Sequence, residues 1–366
     1  MWKNSFRLFL IVCLSGGALV ANAQPSNNRS ISVTLPILGL VTDSSNGLRP
    51  LVGVPGSASI GRALELGFNV TQAAIPPGND YVLAMTPDRG WPLLLHIRGN
   101  VITVQALEAP AVSGRRQNGC DEPLDLPRNQ RRRNPECAEV ASTAVDASNI
   151  DRIALSPTGS SAALFSEKQA RIYLYTNLSQ SPRLVGTVET GALGPVSAFG
   201  ISDDGKTAAV GVSDGQSGAL FVVSAGQLPR MVASLRHPSA IAFLRGSDGA
   251  IVADDLENTI YRLANDQILT IATAADGIAG PIAIAVSKNN QRIFIANSSS
   301  SSVTTIGPVA TIAETRSCDC AVTGLHATNA DSVFRLTDFS GGPVLLFDAT
   351  GSAPRMVFAP LSGPQF

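Results

Sequence analysis

The chain has 366 residues with 27 basic and 28 acidic side chains, a net charge of −1, so it carries neither a general nucleic-acid footprint nor a polyanionic character. Charged residues make up 15% against 44% hydrophobic, and 33 glycines with 5% aromatics fit an all-β protein rich in tight turns. The length alone would allow two domains.

At the start of the chain, Lys3 and Arg7 precede the apolar run Leu8 to Leu14, and the stretch closes on Ala21-Asn22-Ala23, a small-x-small cleavage pattern. This predicts a signal peptide over 1–23, a mature chain from Gln24 and a secreted or periplasmic protein. A membrane anchor is the alternative, but the apolar core is shorter than the ~20 residues a span requires, and no later stretch is long and apolar enough. Cys13 follows Val12, where a lipoprotein signal would carry a small residue. Cleavage removes Lys3 and Arg7 and leaves 25 basic against 28 acidic residues, a net −3.

Beyond the leader, apolar strand, short Gly, Asp or Asn turn and second apolar strand recur. The turns are Pro76-Pro77-Gly78, Pro157-Thr158-Gly159, Asp203-Asp204-Gly205, Ser247-Asp248-Gly249, Lys288-Asn289-Asn290 and Thr328-Asn329-Ala330. Their third residues lie 81, 46, 44, 41 and 40 apart, and roughly forty residues is the length of one four-stranded propeller blade. The spacing predicts one β-propeller over 24–366, interrupted where the interval doubles. In the repeat after Ile150 the strands read Ile153–Leu155, Ala162–Phe165, Arg171–Tyr175 and Arg183–Val188; in the next, Phe199–Ile201, Ala208–Val212, Ala219–Val223 and Arg230–Leu235. Ala and Gly crowd the first two strands, as expected near the axis, and helical periodicity is nowhere sustained. Six complete repeats occupy roughly 72–360. Ser30 to Leu40 and Leu51 to Val54 supply further strand material, which together with Leu361 to Phe366 would close a seventh blade. Seven blades are favoured over six; the shortness of the C-terminal segment is the argument for six.

The doubled interval is an insertion over about 108–148. It carries Arg115, Arg116, Arg128, Arg131, Arg132 and Arg133 interleaved with acids, Pro and Asn. These guanidinium groups could meet an anionic partner such as an acidic glycan, or pair with the loop's own acids. Aromatics that stack on bases or sugars are missing from it, and no nucleic-acid partner is expected. Cys120 and Cys137 within it would pair as a disulfide; Cys318 and Cys320 form a tight local disulfide or stay free thiols. Metal binding through Cys318 and Cys320 would need further soft ligands, and His96, His237 and His326 stand in separate repeats.

Residues Ile282 to Asn297, with Phe294-Ile295-Ala296-Asn297 and then Ser302 to Ile306, resemble the repeat of YVTN-type propellers. The preceding repeat, His237 to Ala242, Ile251 to Asp255 and Thr259 to Leu263, is similar to NHL and gluconolactonase-like blades; WD40-like is a looser label, since Gly-His and Trp-Asp signatures are absent. The gluconolactonase likeness implies a divalent cation at the axial mouth. Asp254, Asn297 and Asp338 stand at roughly equivalent points of three successive blades, and such oxygen ligands suit calcium. Asp or Asn ending a strand is also ordinary turn chemistry. No motif identifies a base, a nucleophile or a substrate pocket.

In a four-stranded blade the outer-to-next-inner links and the second-to-third links emerge on one face. That face therefore gathers the insertion, Cys318 to Cys320, and the acids Asp88, Glu167, Asp214, Asp254, Asp255, Glu257 and Asp338. The expected function is a binding or scaffold module that meets a protein or anionic polymer on this loop face. A metal-dependent, lactonase-like hydrolase with a calcium site is the alternative.

Overall fold

The computed structural model describes residues 36–43, 47–78, 80–98, 101–109, 149–307 and 313–362. They form a β-propeller of seven blades, all antiparallel within each blade. Blade 2 comprises Gln72–Ala74, Tyr81–Thr86, Arg89–Arg98 and Val101–Ala106; blade 3, Arg152–Leu155, Ser161–Ser166, Arg171–Thr176 and Arg183–Glu189; blade 4, Val196–Ile201, Thr207–Ser213, Gly218–Ser224 and Arg230–Leu235. Blade 5 comprises Pro238–Phe243, Ala250–Asp254, Thr259–Ala264 and Gln267–Ala272; blade 6, Pro281–Val286, Ile293–Asn297, Ser302–Ile306 and Glu314–Ser317; blade 7, His326–Ala327, Val333–Arg335, Val344–Asp348 and Arg355–Ala359.

Blade 1 joins the two ends of the chain. Its strands Ile37–Thr42, Leu48–Val52 and Ser59–Ile60 form a three-stranded sheet, and Leu361 adds a parallel bridge to Ile60 at the outer edge. Ile60 N–H donates to Pro360 O at 2.8 Å and Ser362 N–H to Ile60 O at 2.9 Å. Among the described residues the innermost strand of this blade is Ile37–Thr42, from the N-terminal part, and the ring closes with seven blades rather than six.

Burial peaks in the second and third strands, while the innermost strand, facing the axis, is half-buried. In blade 3 the second strand, Ser-Ala-Ala-Leu-Phe-Ser, is buried throughout, the third is buried at its four central residues, and the fourth alternates. The second and third strands lie between neighbouring blades on both faces, so they read as continuous apolar runs. Seven apolar clusters result, one per blade junction: Tyr81, Leu94, Leu164 and Tyr173 join blades 2 and 3, and Leu38, Val41, Phe339 and Leu346 join blades 7 and 1. Each buried Leu, Ile or Val contributes about 1.5–3 kcal/mol, so these clusters outweigh any single polar contact, at about 1 kcal/mol, in holding the ring.

Polar side chains set the alignment instead. In the turns between first and second strands, Ser156, Ser202 and Ser287 Oγ each accept the N–H five residues on, at 3.1, 3.2 and 2.9 Å. The residues after them reach the neighbouring blade. Asp203 accepts Thr158 N–H at 2.8 Å on one side and Gly246 N–H at 2.9 Å on the other. Burial pushes its carboxyl up, but these bonds prevail and hold it below the usual carboxylate range. Asn290 exchanges two bonds with the Arg245 backbone, Asp331 accepts from Lys288 N–H, Asn329 donates to Ile37 O, and Tyr81 donates to Gly159 O. Among the described residues, six of the seven junctions are stitched at this face. Gly205 is required there: its φ is 70°, and a Cβ would lie 2.2 Å from Thr176 Cγ2 of blade 3.

Candidate functional site

The opposite face carries the second-to-third links. Asp88, Glu167, Asp214, Glu257 and Asp338 are exposed on it, Asp255 is half-buried, and Asp254 is fully buried. His237 Nδ1 lies 2.6 Å from Asp255 Oδ1, and Arg236 lies 3.4 Å from Glu257. Asp214 accepts the N–H groups of Ser217 and Gln216, which keep its carboxyl below the ordinary range. Cys318 and Cys320 are joined as a disulfide on the link from blade 6 to blade 7. The arginines at 115, 116, 128, 131, 132 and 133 and the Cys120–Cys137 pairing lie outside the described residues, as does the leader over 1–23.

Asp254, Asn297 and Asp338 occupy the same repeat position but have different surroundings. Asp254 Oδ2 accepts the N–H of Arg236 at 2.7 Å and of His237 at 3.1 Å, and Oδ1 that of Glu257 at 3.0 Å. Asn297 Oδ1 accepts Ala279 N–H at 3.0 Å while its Nδ2 donates to Ser302 and Thr304 hydroxyls. Both side chains are buried, and their oxygens hold the corners of their own blades together. Asp338 is exposed and accepts from Arg335 Nη1 at 2.8 Å. Among the described residues, no group of three or more His, Cys, Asp or Glu side chains is placed to hold a metal ion.

On the axis the first strands of all seven blades surround a cavity of 510 Å³. Leu40, Ile75, Leu155, Ile201, Phe243 and Ile284 give it apolar walls; its charged lining is Arg245, Lys288, Asp331, His326 and Arg335. Two of these depart from the repeat. The cross-strand pairs Ala154 with Ala163, Gly200 with Ala209, Ala242 with Ile251 and Ala285 with Phe294 correspond, in blade 7, to His326 with Arg335. Thr328 bonds to Val333 as Ser287 does to Arg292, which fixes that correspondence.

Arg335 is 5% exposed; its Nη1 donates to Thr337 O at 2.7 Å and to Asp338, and its Nε is buried without a partner. The His326 side chain is 45% exposed, and that exposure is to the cavity. Desolvation by the surrounding protein, reinforced by the Arg335 charge and opposed by Asp338, lowers its pKa from 6.5 to about 4. Burial pushes the Asp338 carboxyl up, yet the Arg335 bond and charge and His326 bring it below its ordinary value. Read singly, the three histidines fall in separate repeats; alignment of the repeats on their turns places His326 where blades 3 to 6 carry Ala or Gly, and that is the signal available in the sequence.

No family model and no curated protein matches the chain. Among solved structures, a protein of unknown function from Desulfotomaculum acetoxidans superposes with a TM-score of 0.53 at 10% identity, over 89% of this chain and 100% of that one. A chain of the nidogen/laminin complex matches with a TM-score of 0.44 at 12% identity, over 77% of this chain and 93% of that one. At such identity the first likeness establishes the β-propeller fold and nothing about activity.

Proposed function

We propose that the chain is an exported binding module that docks a protein partner with a basic surface on the face bearing the second-to-third links. The observation that carries this is the repeated acidic rim: Asp88, Glu167, Asp214, Glu257 and Asp338 are exposed at equivalent links of five blades. Polar side chains on the other face are bonded across the junctions, while Asp214, Glu257 and Asp338 are bonded only at their own blade corners. A row of like charges on a rigid ring steers an oppositely charged partner and sets its register. The leader pattern and the Cys318–Cys320 bond support an extracytoplasmic location.

The test is calorimetric titration of the chain from Gln24 with a short oligolysine peptide at several salt concentrations. Saturable binding is expected, weakened by Asp88→Asn, Glu167→Gln, Asp214→Asn and Glu257→Gln combined, and unchanged by Asp204→Asn with Asp248→Asn on the other face. Equal loss from both sets, or no saturable binding, rejects the reading.

A further inference from the structure

We propose that the axial cavity is a binding site for a small molecule with an oxyanion head and an apolar body, the head held at blade 7 by Arg335 and His326. The repeat supplies the first argument. At this cross-strand position four other blades close with Ala, Gly, Ile or Phe, so the fold itself has no need of an imidazole and a guanidinium there. Arg335 also bears a desolvation cost that an apolar residue would avoid: it is 5% exposed, and its Nε has no partner.

The remaining lining fits the same ligand. Arg245 and Lys288 add two further cations, and the Arg245 Nε is likewise buried and unpartnered. Against them stands Asp331, already accepting from Lys288 N–H; Asp338, outside the lining, engages Arg335 through Nη1. The balance around the cavity is positive. A guanidinium fork matches carboxylate or phosphate oxygens, while the walls of Leu, Ile and Phe suit a hydrocarbon body. A volume of 510 Å³ is within the range of small-ligand pockets.

Protonation couples to this. Desolvation and the Arg335 charge, with Asp338 opposing, favour the neutral His326 ring. An anion beside the ring favours the imidazolium, so binding takes up a proton. Affinity therefore rises as pH falls from neutral, down to the pH at which the ligand's own oxyanion takes up a proton.

The experiment titrates the chain from Gln24 with hexanoate and, separately, with phenyl phosphate, by calorimetry and by NMR of the histidine rings. Saturable binding of either probe with movement of the His326 resonance supports the site, and the preferred probe identifies the head group. His326→Ala restores the residue that blades 3, 5 and 6 carry, so it should fold normally while binding falls roughly tenfold and loses its pH dependence. Arg335→Met should weaken binding roughly a hundredfold. No saturable binding of either probe, or affinity and pH profile unchanged in His326→Ala, overturns the proposal.

Discussion

Blades 5 and 6 and the seventh blade place similar backbones around the axis with opposite chemistry. In blade 5 the inner pair is Ala242 with Ile251 and the corner carboxylate, Asp254, is buried on three main-chain N–H groups. In blade 7 the pair is His326 with Arg335 and the corner carboxylate, Asp338, is exposed and paired with that arginine. The same repeat position is thus buried and structural in one blade and exposed at the rim, paired with an arginine, in the other. An acid at a strand end cannot be assigned a role from its position alone; what its oxygens accept decides it.

The largest test of that contrast is removal of each carboxylate. Asp254→Ala removes a buried carboxylate and leaves three partly buried main-chain N–H groups without their acceptor, and the expected loss is about 2–4 kcal/mol of unfolding free energy. Asp338→Ala removes one partially exposed pair and should cost about 1 kcal/mol, because Arg335 retains Thr337 O. Urea unfolding of both variants measures the difference. Equal losses would mean that the two corners are equivalent after all.

A second comparison is between the stitched face and the cavity. Gly205→Ala forces a side chain to a φ of 70° and toward Thr176 Cγ2 at 2.2 Å, pushing blade 4 off blade 3. The expected cost is about 2–4 kcal/mol, measured by the same unfolding assay. The distant inner pair of blade 7 should be unaffected, so the His326 resonance should keep its position; a shift would show that the junctions are mechanically coupled around the ring.

Much of this architecture was readable because turn chemistry is local. The Ser-x-Thr, Ser-x-Asp and Ser-x-Asn turns at 156, 202 and 287 announce a strand reversal, and the strands predicted around them agree with those observed to within a few residues at either end. The closing blade was readable in outline from strand material at both ends, but that Leu361 sits on the outer edge depends on pairing across some three hundred residues. The burial of Asp254 and Asn297 was not legible, since it comes from N–H groups that face each corner only in the folded blade. His326 and Arg335 are adjacent only across a strand pair, and no motif in the linear chain joins them.

The smallest expected effect is also the most selective one. His326 has a folded pKa of about 4 against 6.5 in its ordinary state, so between those values the unfolded chain binds more protons than the folded one. Stability therefore declines as pH falls from about 6.5 to about 4 and gains no further loss from this group below that. The depressed Asp338 carboxyl acts in a different window, contributing stability above the ordinary carboxylate value and losing it as pH falls through its own lower one. His326→Ala should change stability at neutral pH by less than about 0.5 kcal/mol, since the repeat already closes with Ala at this position. The same variant should flatten the decline between about 6.5 and 4 and leave the steeper acid loss below it intact. If the decline persists in His326→Ala, the imidazole is not the group desolvated by the ring, and the separation between blade 7 and its neighbours is one of sequence rather than of electrostatics.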